Sequence, residues 1–543
     1  MVIKMNSKGK ERVFLREATG LVREANWVDI LIFAALNMSV GLSAWWLFLW
    51  GPYIAPGGNL YIGVLITLVM MIFGGLAWAF LASIVPRSGG EYVFNSRILH
   101  PILGLMSSWG WIVANFAWMG TLTAYIFDPG LTTTFHLVGM SEAAEFVVSP
   151  IGLIICGAIV VIISVVIAIL GLKAFRVFQT ICFAVGVIMF FAIWALFSVY
   201  SKADFVNAWN NVAANYRSAD YHTLMQQTFQ YLETTYGIKT PVYQSWNVVD
   251  ALPLLPVAGW GLIYPYIATY IAGETKRVER SMLIGIIGSL VFCAVAWWIT
   301  TALLERIVGY DFLVATSYAY GDGLECYAFP FPPSYFGFAI IMAPTWLKWL
   351  IGIGFVAWVL YYFLYSVFPG ARILLAWSFD RLAPAALGDV SEKFHTPVKA
   401  SIFIGALGMI AVIWYALAPA YLASYIAMIP QIVTCFMLTS IAAMIVPFRK
   451  KMRSVYDASP VSKYKIGPIP LITISGIIYF ILLVTLLYYF IINPLYGGWN
   501  IPSLIVAAIA YITCVIYYFA VKYYRKKKEG IDISLAFKEL PPE

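Results

Sequence analysis

Charge is what this sequence has least of. Only 11% of its 543 residues are Asp, Glu, Lys or Arg, against about 25% in an ordinary soluble chain. Its four histidines are scattered, and its six cysteines form neither a Cys-x-x-Cys nor a Cys/His cluster. Neither a metal site nor a disulfide framework is therefore expected, and no cofactor. Five cysteines (Cys156, Cys182, Cys293, Cys435, Cys514) fall in apolar stretches and Cys326 sits alone in a loop. The first 26 residues are polar and carry six basic side chains, with no cleavable signal pattern. A globule of this size cannot be clothed with so few charges, which excludes a soluble enzyme. What fills the chain is 62% hydrophobic and 17% aromatic residues, drawn out in runs such as 27–50, 61–85 and 102–127 with at most one charge each. An α-helix needs about 20 such residues to cross a bilayer.

Twelve spans are predicted, at 27–50, 60–85, 102–127, 149–170, 177–200, 251–273, 281–304, 346–368, 400–417, 420–446, 470–492 and 500–521. The fold class that follows is an all-α polytopic membrane protein. An even number puts both termini on one side, and 29 of the 34 Lys and Arg fall in the two tails and the even-numbered loops. The exceptions are Lys202, Arg217, Lys239, Arg306 and Lys348. The positive-inside rule then places both termini in the cytoplasm of a plasma-membrane protein. The +8 formal charge resolves into juxtamembrane runs, Arg449–Lys451 and Arg525–Lys528 among them, which suit anionic lipid and not nucleic acid. The polar outside segments, about 201–250 and 305–345, read as an ordered cap, with an amphipathic helix over 219–236.

Breaks in the helices carry the functional signal. Span 1 has Asn37-Met38-Ser39-Val40-Gly41-Leu42-Ser43 at mid-membrane depth, and span 6 has Pro256-Val257-Ala258-Gly259-Trp260-Gly261-Leu262-Ile263-Tyr264-Pro265. Proline removes an amide donor and glycine eases non-helical backbone. A bilayer tolerates such backbone only where it is enclosed by protein or lines a cavity. The two breaks are five spans apart, so spans 1–5 and 6–10 would form two inverted five-helix repeats plus two extra helices. The predicted division is a tail 1–26, a repeat 27–200, an extracellular loop 201–250, a repeat 251–446, helices 11–12 within 447–521 and a tail 522–543. Matched interruptions of this kind point to a transporter binding site.

Three stretches on the basic side sharpen this. Pro86-Arg87-Ser88-Gly89-Gly90-Glu91-Tyr92 follows span 2, and Gly273-Glu274-Thr275-Lys276-Arg277-Val278-Glu279-Arg280 follows span 6. Arg372, Asp380, Pro384 and Thr396-Pro397-Val398 follow span 8. In that order they resemble the loop motifs of the amino acid–polyamine–organocation permeases. The resemblance implies a LeuT-type fold, alternating access, and a small-molecule substrate held at the unwound centres of spans 1 and 6. Departures are also visible. The family's Gly-Ser-Gly in span 1 reads Ser39-Val40-Gly41, its acid near the end of span 2 is replaced by Phe80, and a lysine that some relatives carry in span 5 is missing near Val185 and Gly186.

An unwound helix offers free amides at the start of one half and free carbonyls at the end of the other. The expected assignment puts the substrate carboxylate on amides around Val40–Ser43, through Ser39, Gly41 and Leu42. The ammonium goes to carbonyls near Asn37 and Ala258–Trp260, beside Gly261. Asn115 and Trp118 of span 3, Trp260 and Tyr264 of span 6, and Tyr361 and Tyr362 of span 8 are candidates to face the side chain. Arg87, Glu274, Arg372 and Asp380 are candidate gating residues. The spans hold no catalytic dyad or nucleophile–base motif, so an enzyme is not expected. Asp29, Asp128, Asp250, Glu274, Glu305 and Lys348 all lie near span ends, which favours a neutral amino acid with an apolar or aromatic side chain. The alternatives are a polyamine or other organic-cation permease and a transceptor. Span 8 lacks the hydroxyls that hold sodium in LeuT-type relatives, so exchange or facilitated uptake is expected, with Glu274 the one acid retained as a possible proton carrier.

Overall fold

A computed structural model of the protein describes residues 20–418, 429–493 and 501–540. Among the described residues twelve helices are long and apolar enough to cross a membrane: Trp27–Ile54, Leu60–Ile84, Pro101–Leu137, Pro150–Ile169, Gly171–Val199, Val248–Glu274, Val278–Ile307, Thr345–Phe379, Val398–Leu417, Gln431–Phe448, Leu471–Ile492 and Leu504–Glu529. They are numbered spans 1 to 12. The fold is that of an all-α polytopic membrane protein.

Local chemistry accounts for several boundaries. Span 1 starts where the Asn26 side chain accepts the amides of Val28 and Asp29, and span 3 starts at Pro101, whose missing amide is no loss in a first turn. Span 5 begins at Gly171, earlier than predicted. The φ of +83° there turns the chain, and Leu172 and Phe175 are buried in the extra turn. Span 8 overruns its predicted end at 368 and continues to Phe379 through Pro369. Burial of Ile373, Leu374, Leu375 and Trp377 outweighs the proline's lost hydrogen bond. Arg372 is consequently a buried helical residue, not a loop residue. Of predicted span 10, residues 420–428 lie outside the described residues, as does residue 500 at the start of predicted span 12.

Spans 1, 6 and 8 are the most enclosed and span 12 the least. Span 1 packs on span 7, span 2 on spans 7 and 11, span 4 on span 9, and span 5 on span 8. The predicted helix over 219–236 is found as Tyr221–Tyr236, capped by Asp220, and it packs with Tyr310–Gly321. Trp209, itself buried, joins Phe312 and Phe329 edge to face, so the two long segments do form a cap. That cap also reaches inward. Tyr335 stacks on Phe190 and its hydroxyl donates to the carbonyl of Gly41 at 3.3 Å.

Candidate functional site

Both predicted breaks are present, and they touch. The first half of span 1, Trp27–Asn37, ends at Met38, and the second, Val40–Ile54, restarts after Ser39 at φ +43°. The amides of Val40, Gly41 and Leu42 form a first turn, where no intrahelical carbonyl can reach them. The Ser43 amide returns to the Ser39 carbonyl at 2.8 Å, and its hydroxyl donates to the Met38 carbonyl at 2.6 Å. In span 6 the α-helix Leu255–Leu262 gives way to a 3₁₀ segment, Tyr264–Glu274. This break falls inside the predicted run 256–265, towards its end. Asn37 joins the two spans by donating its side-chain amide to the Tyr264 carbonyl, while its Oδ1 stays buried without a partner.

Several expected site residues turn out to be packing residues. Ala258 and Gly259 are inside the α-helix of span 6. The Gly259 carbonyl accepts the Ile263 amide, and a Cβ on Gly259 would meet Leu486 of span 11 at 2.9 Å. A Cβ on Gly261 would meet the side chains of Trp297 and Ser43, so this glycine lets spans 1, 6 and 7 approach closely. The carbonyl of Val40 accepts the indole N–H of Trp297 at 3.1 Å. Gly41 faces span 8, where a Cβ would lie 2.8 Å from Trp358 Cδ1, so its small size accommodates an indole. Tyr361 points away, donating to Gln179 Oε1 at 3.2 Å and packing on Phe33. Its neighbour Tyr362 faces inward instead.

Two small voids lie along the junction. One, of about 30 Å³, is lined by Leu42, Ser43, Trp45, Trp46, Trp118, Trp260 and Tyr362. The other, of about 10 Å³, lies nearer the basic side and is lined by Asn115, Trp118, Tyr264, Tyr266, Tyr362 and Tyr365. Trp118 and Tyr362 separate them. One water needs about 10–15 Å³ on this measure, so an amino acid enters only if rings move. Leu42, Ser43, Asn115, Trp118, Trp260 and Tyr264 are thus placed on the voids, and Asn37, Ser39 and Val40 at the break beside them.

The basic side of the junction is sealed. Arg372 donates from Nε and Nη2 to both carboxylate oxygens of Glu274, at 2.9 and 3.0 Å, with both side chains at most 1% exposed. Its guanidinium also sits 3.4 Å above the Phe368 ring. Asp380 makes a second bidentate pair, with Arg97 at 2.6 and 2.7 Å, and accepts the Tyr92 hydroxyl at 2.6 Å. The pairing is therefore Glu274 with Arg372 and Asp380 with Arg97. Arg87 belongs to neither pair and donates to the Pro86 carbonyl at 3.0 Å. Ahead of span 1, the amides of Glu24 and Ala25 bind the Glu274 carbonyl at 2.9 and 3.0 Å, anchoring the chain entry to the end of span 6.

Sequence reasoning did not single out Arg97, Glu91, Tyr270, Tyr335, Trp46 or Trp358. Glu91 was inside a quoted motif but was given no role. It opens the helix Glu91–Ile98 and accepts the hydroxyl of Tyr270. Desolvation pushes its carboxyl up to about 7, with the Tyr270 bond opposing the rise.

Residues 31–530 match the family model described as Amino acid permease. The chain belongs to that family. It is also similar to the branched-chain amino acid permease BcaP of Bacillus subtilis (strain 168), at 20% identity over 364 residues, covering 65% of this chain and 67% of that protein. The family is one of transporters.

Proposed function

We propose that this permease is a secondary-active or exchange transporter of neutral amino acids with apolar or aromatic side chains. It works by alternating access across the plasma membrane, with its basic side and both termini in the cytoplasm. The repeats are spans 1–5 and 6–10. The observation that carries the reading is the junction of the two breaks. First-turn amides of Val40–Leu42 suit a carboxylate, and the buried, unpartnered Oδ1 of Asn37 suits an ammonium. Around them stand Trp118, Trp260 and Tyr362, and neither void is lined by an ionised side chain. A further, side-chain charge on the substrate there would be buried without a partner, at several kcal/mol. The branched-chain relative points the same way.

Sodium is not required in this reading. Span 1 at Gly41, span 5 at Gly186 and span 8 converge on the indole of Trp358, which fills the space both glycines leave and is fully buried. The Ser39 hydroxyl faces the Trp358 carbonyl at 3.5 Å. A ring in that position leaves no shell of oxygen ligands for a hard cation.

The test is uptake of labelled leucine by proteoliposomes, with and without a sodium gradient, competed by each amino acid and by putrescine. Competition strongest from leucine, isoleucine, valine or phenylalanine and indifferent to sodium is expected. Putrescine competing as well as leucine would shift the assignment to a polyamine permease. Absence of any uptake by folded protein would favour a transceptor.

A further inference from the structure

Three acids stand in the basic-side seal, and they are not equivalent. Glu274 and Asp380 each face an arginine in a two-pronged pair. Glu91 is just as buried, at 1% exposure, yet no Lys or Arg pairs with it among the described residues. Its Oε2 accepts the Tyr270 hydroxyl, and its Oε1 is buried with no side-chain hydrogen-bond partner among the described residues. Tyr270 belongs to the 3₁₀ half of span 6, so this one bond ties the loop after span 2 to the half-helix that closes the pathway. The fit is close. The Gly89 amide donates to the Tyr270 carbonyl at 3.3 Å, and a Cβ on Gly90, at φ +56°, would meet the Tyr270 ring at 2.9 Å.

From Tyr270 a run of phenols leads back to the voids. Tyr266 lies 6.2 Å from Tyr270 between ring centres, Tyr264 is 6.4 Å from Tyr266, and Tyr362 is 6.1 Å from Tyr264. The titratable groups close enough to feel the charge of Glu91 are Tyr266 and Tyr270 of span 6, Tyr365 of span 8 and Cys435 of span 10. The nearby charges of its own helix and of the gate, Arg97 with Asp380 and Arg372 with Glu274, are each satisfied by the other.

A carboxylate so buried, held by the Tyr270 hydroxyl and facing no paired cation among the described residues, loses more by being ionised than it gains, so the closed seal favours the neutral acid. Opening the seal admits water and solvates the ion. The affinity for a proton is therefore higher closed than open, in keeping with the rise to about 7 in the closed form. By linkage, proton binding stabilises the closed seal, and opening releases the proton. We propose that Glu91 is a proton-binding site that couples proton entry to opening of the basic-side gate. The proton arrives from far-side water along the tyrosine run and forms an O–H bond on the Glu91 carboxylate. It leaves to water on the basic side when the seal parts, and nothing is oxidised or reduced. Glu274, the acid favoured by sequence, is less suited, because Arg372 already compensates its charge.

The inference rests on the reading of the chain as an amino acid transporter, so that reading is tested separately by leucine counterflow at equal pH on both sides. An inside-alkaline gradient should then accelerate leucine uptake several-fold in the wild-type protein. A trapped pH dye should report proton entry when leucine is added. In Glu91→Gln, which keeps an acceptor for Tyr270, the ratio of gradient-driven to equal-pH uptake should fall to one and the dye signal should vanish, whatever the absolute rate. Tyr270→Phe removes the donor that favours the ion, so the midpoint of the pH response should move to higher pH. Counterflow with no gradient effect in the wild type overturns the proposal, as does a Glu91→Gln variant that keeps both signals. If Glu91→Gln fails to fold, the wild-type dye signal together with the Tyr270→Phe shift carries the proposal, and the absence of either overturns it. Absence of counterflow in the wild type overturns the transporter reading itself.

Discussion

The two ends of the pathway between spans 1 and 6 are closed by different chemistry. The basic end is held by Arg372–Glu274 and Arg97–Asp380, guanidinium–carboxylate pairs with side chains at most 1% exposed. The far end is a chain of tilted and edge-to-face rings. Trp46 lies 6.2 Å from Trp260 and 5.8 Å from Trp50, Trp50 lies 5.5 Å from Tyr53, and Tyr53 lies 4.6 Å from Tyr318. Its acid is Asp322, half-buried, which accepts the hydroxyls of Tyr53 and Tyr236 at 2.6 and 3.1 Å. Ions removed from water are stable only in one tightly matched arrangement. Ring contacts tolerate several tilts and offsets, each worth only about 0.5–1.5 kcal/mol. The basic end should therefore open all at once, whereas the far end adjusts by degrees around whatever enters.

The largest effect should come from unpairing the basic end. Arg372→Met leaves the Glu274 carboxylate buried without its partner and should destabilise the fold by about 3–5 kcal/mol. The measurement is the thermal unfolding midpoint in detergent. A second change, Glu274→Leu, should recover most of the loss by removing the stranded charge. A single variant that melts like the wild type would mean that this end is not held by charge.

Next comes the layer between the ends. Gly41→Leu should abolish leucine uptake, because its side chain must occupy the space of Trp358 Cδ1, 2.8 Å from where the new Cβ begins. Overpacking of this kind costs about 1–3 kcal/mol. Adding Trp358→Ala should restore the unfolding midpoint in part. Uptake at the wild-type rate by Gly41→Leu would remove this layer from the mechanism.

How much of this was legible in the sequence depends on how local the signal is. Apolar runs long enough to span a bilayer, and clusters of Gly and Pro inside them, are local, so the twelve spans and both breaks could be read directly. Partner choice is not local. Arg97 and Asp380 are 283 residues apart, and nothing near either one names the other. Register within a helix is lost for a related reason. Tyr361 and Tyr362 point about 100° apart, and only packing decides that Tyr362 faces the voids while Tyr361 meets Gln179. The continuation of span 8 through Pro369 is a local rule overruled by burial beyond it. At Gly41 and Gly261 the groups that come close are an indole and a neighbouring span, which no pattern near either glycine names. What singles out Glu91 among three equally buried gate acids is that no Lys or Arg pairs with it among the described residues, and that leaves no trace in composition at all.

The smallest effect should come from the far end. Asp322→Asn keeps an acceptor for Tyr53 or Tyr236 but loses the charge that strengthens both bonds. A hydrogen bond to a charged group is worth more than a neutral one, roughly 1.5–3 against 0.5–1.5 kcal/mol, so each exchange forfeits on the order of 1 kcal/mol. Asp322 is only half-buried, and water can replace part of what is lost, which lowers the figure further. The remaining rings, Trp46, Trp50 and Tyr318, keep their contacts in the variant. The half-saturating leucine concentration for uptake should consequently change by less than about five-fold, with the unfolding midpoint almost unmoved. The same two measurements on Arg372→Met set the scale. If Asp322→Asn proves as damaging as Arg372→Met, then the far end is also latched by charge, and the chain of rings is filling around an electrostatic gate instead of forming a graded one.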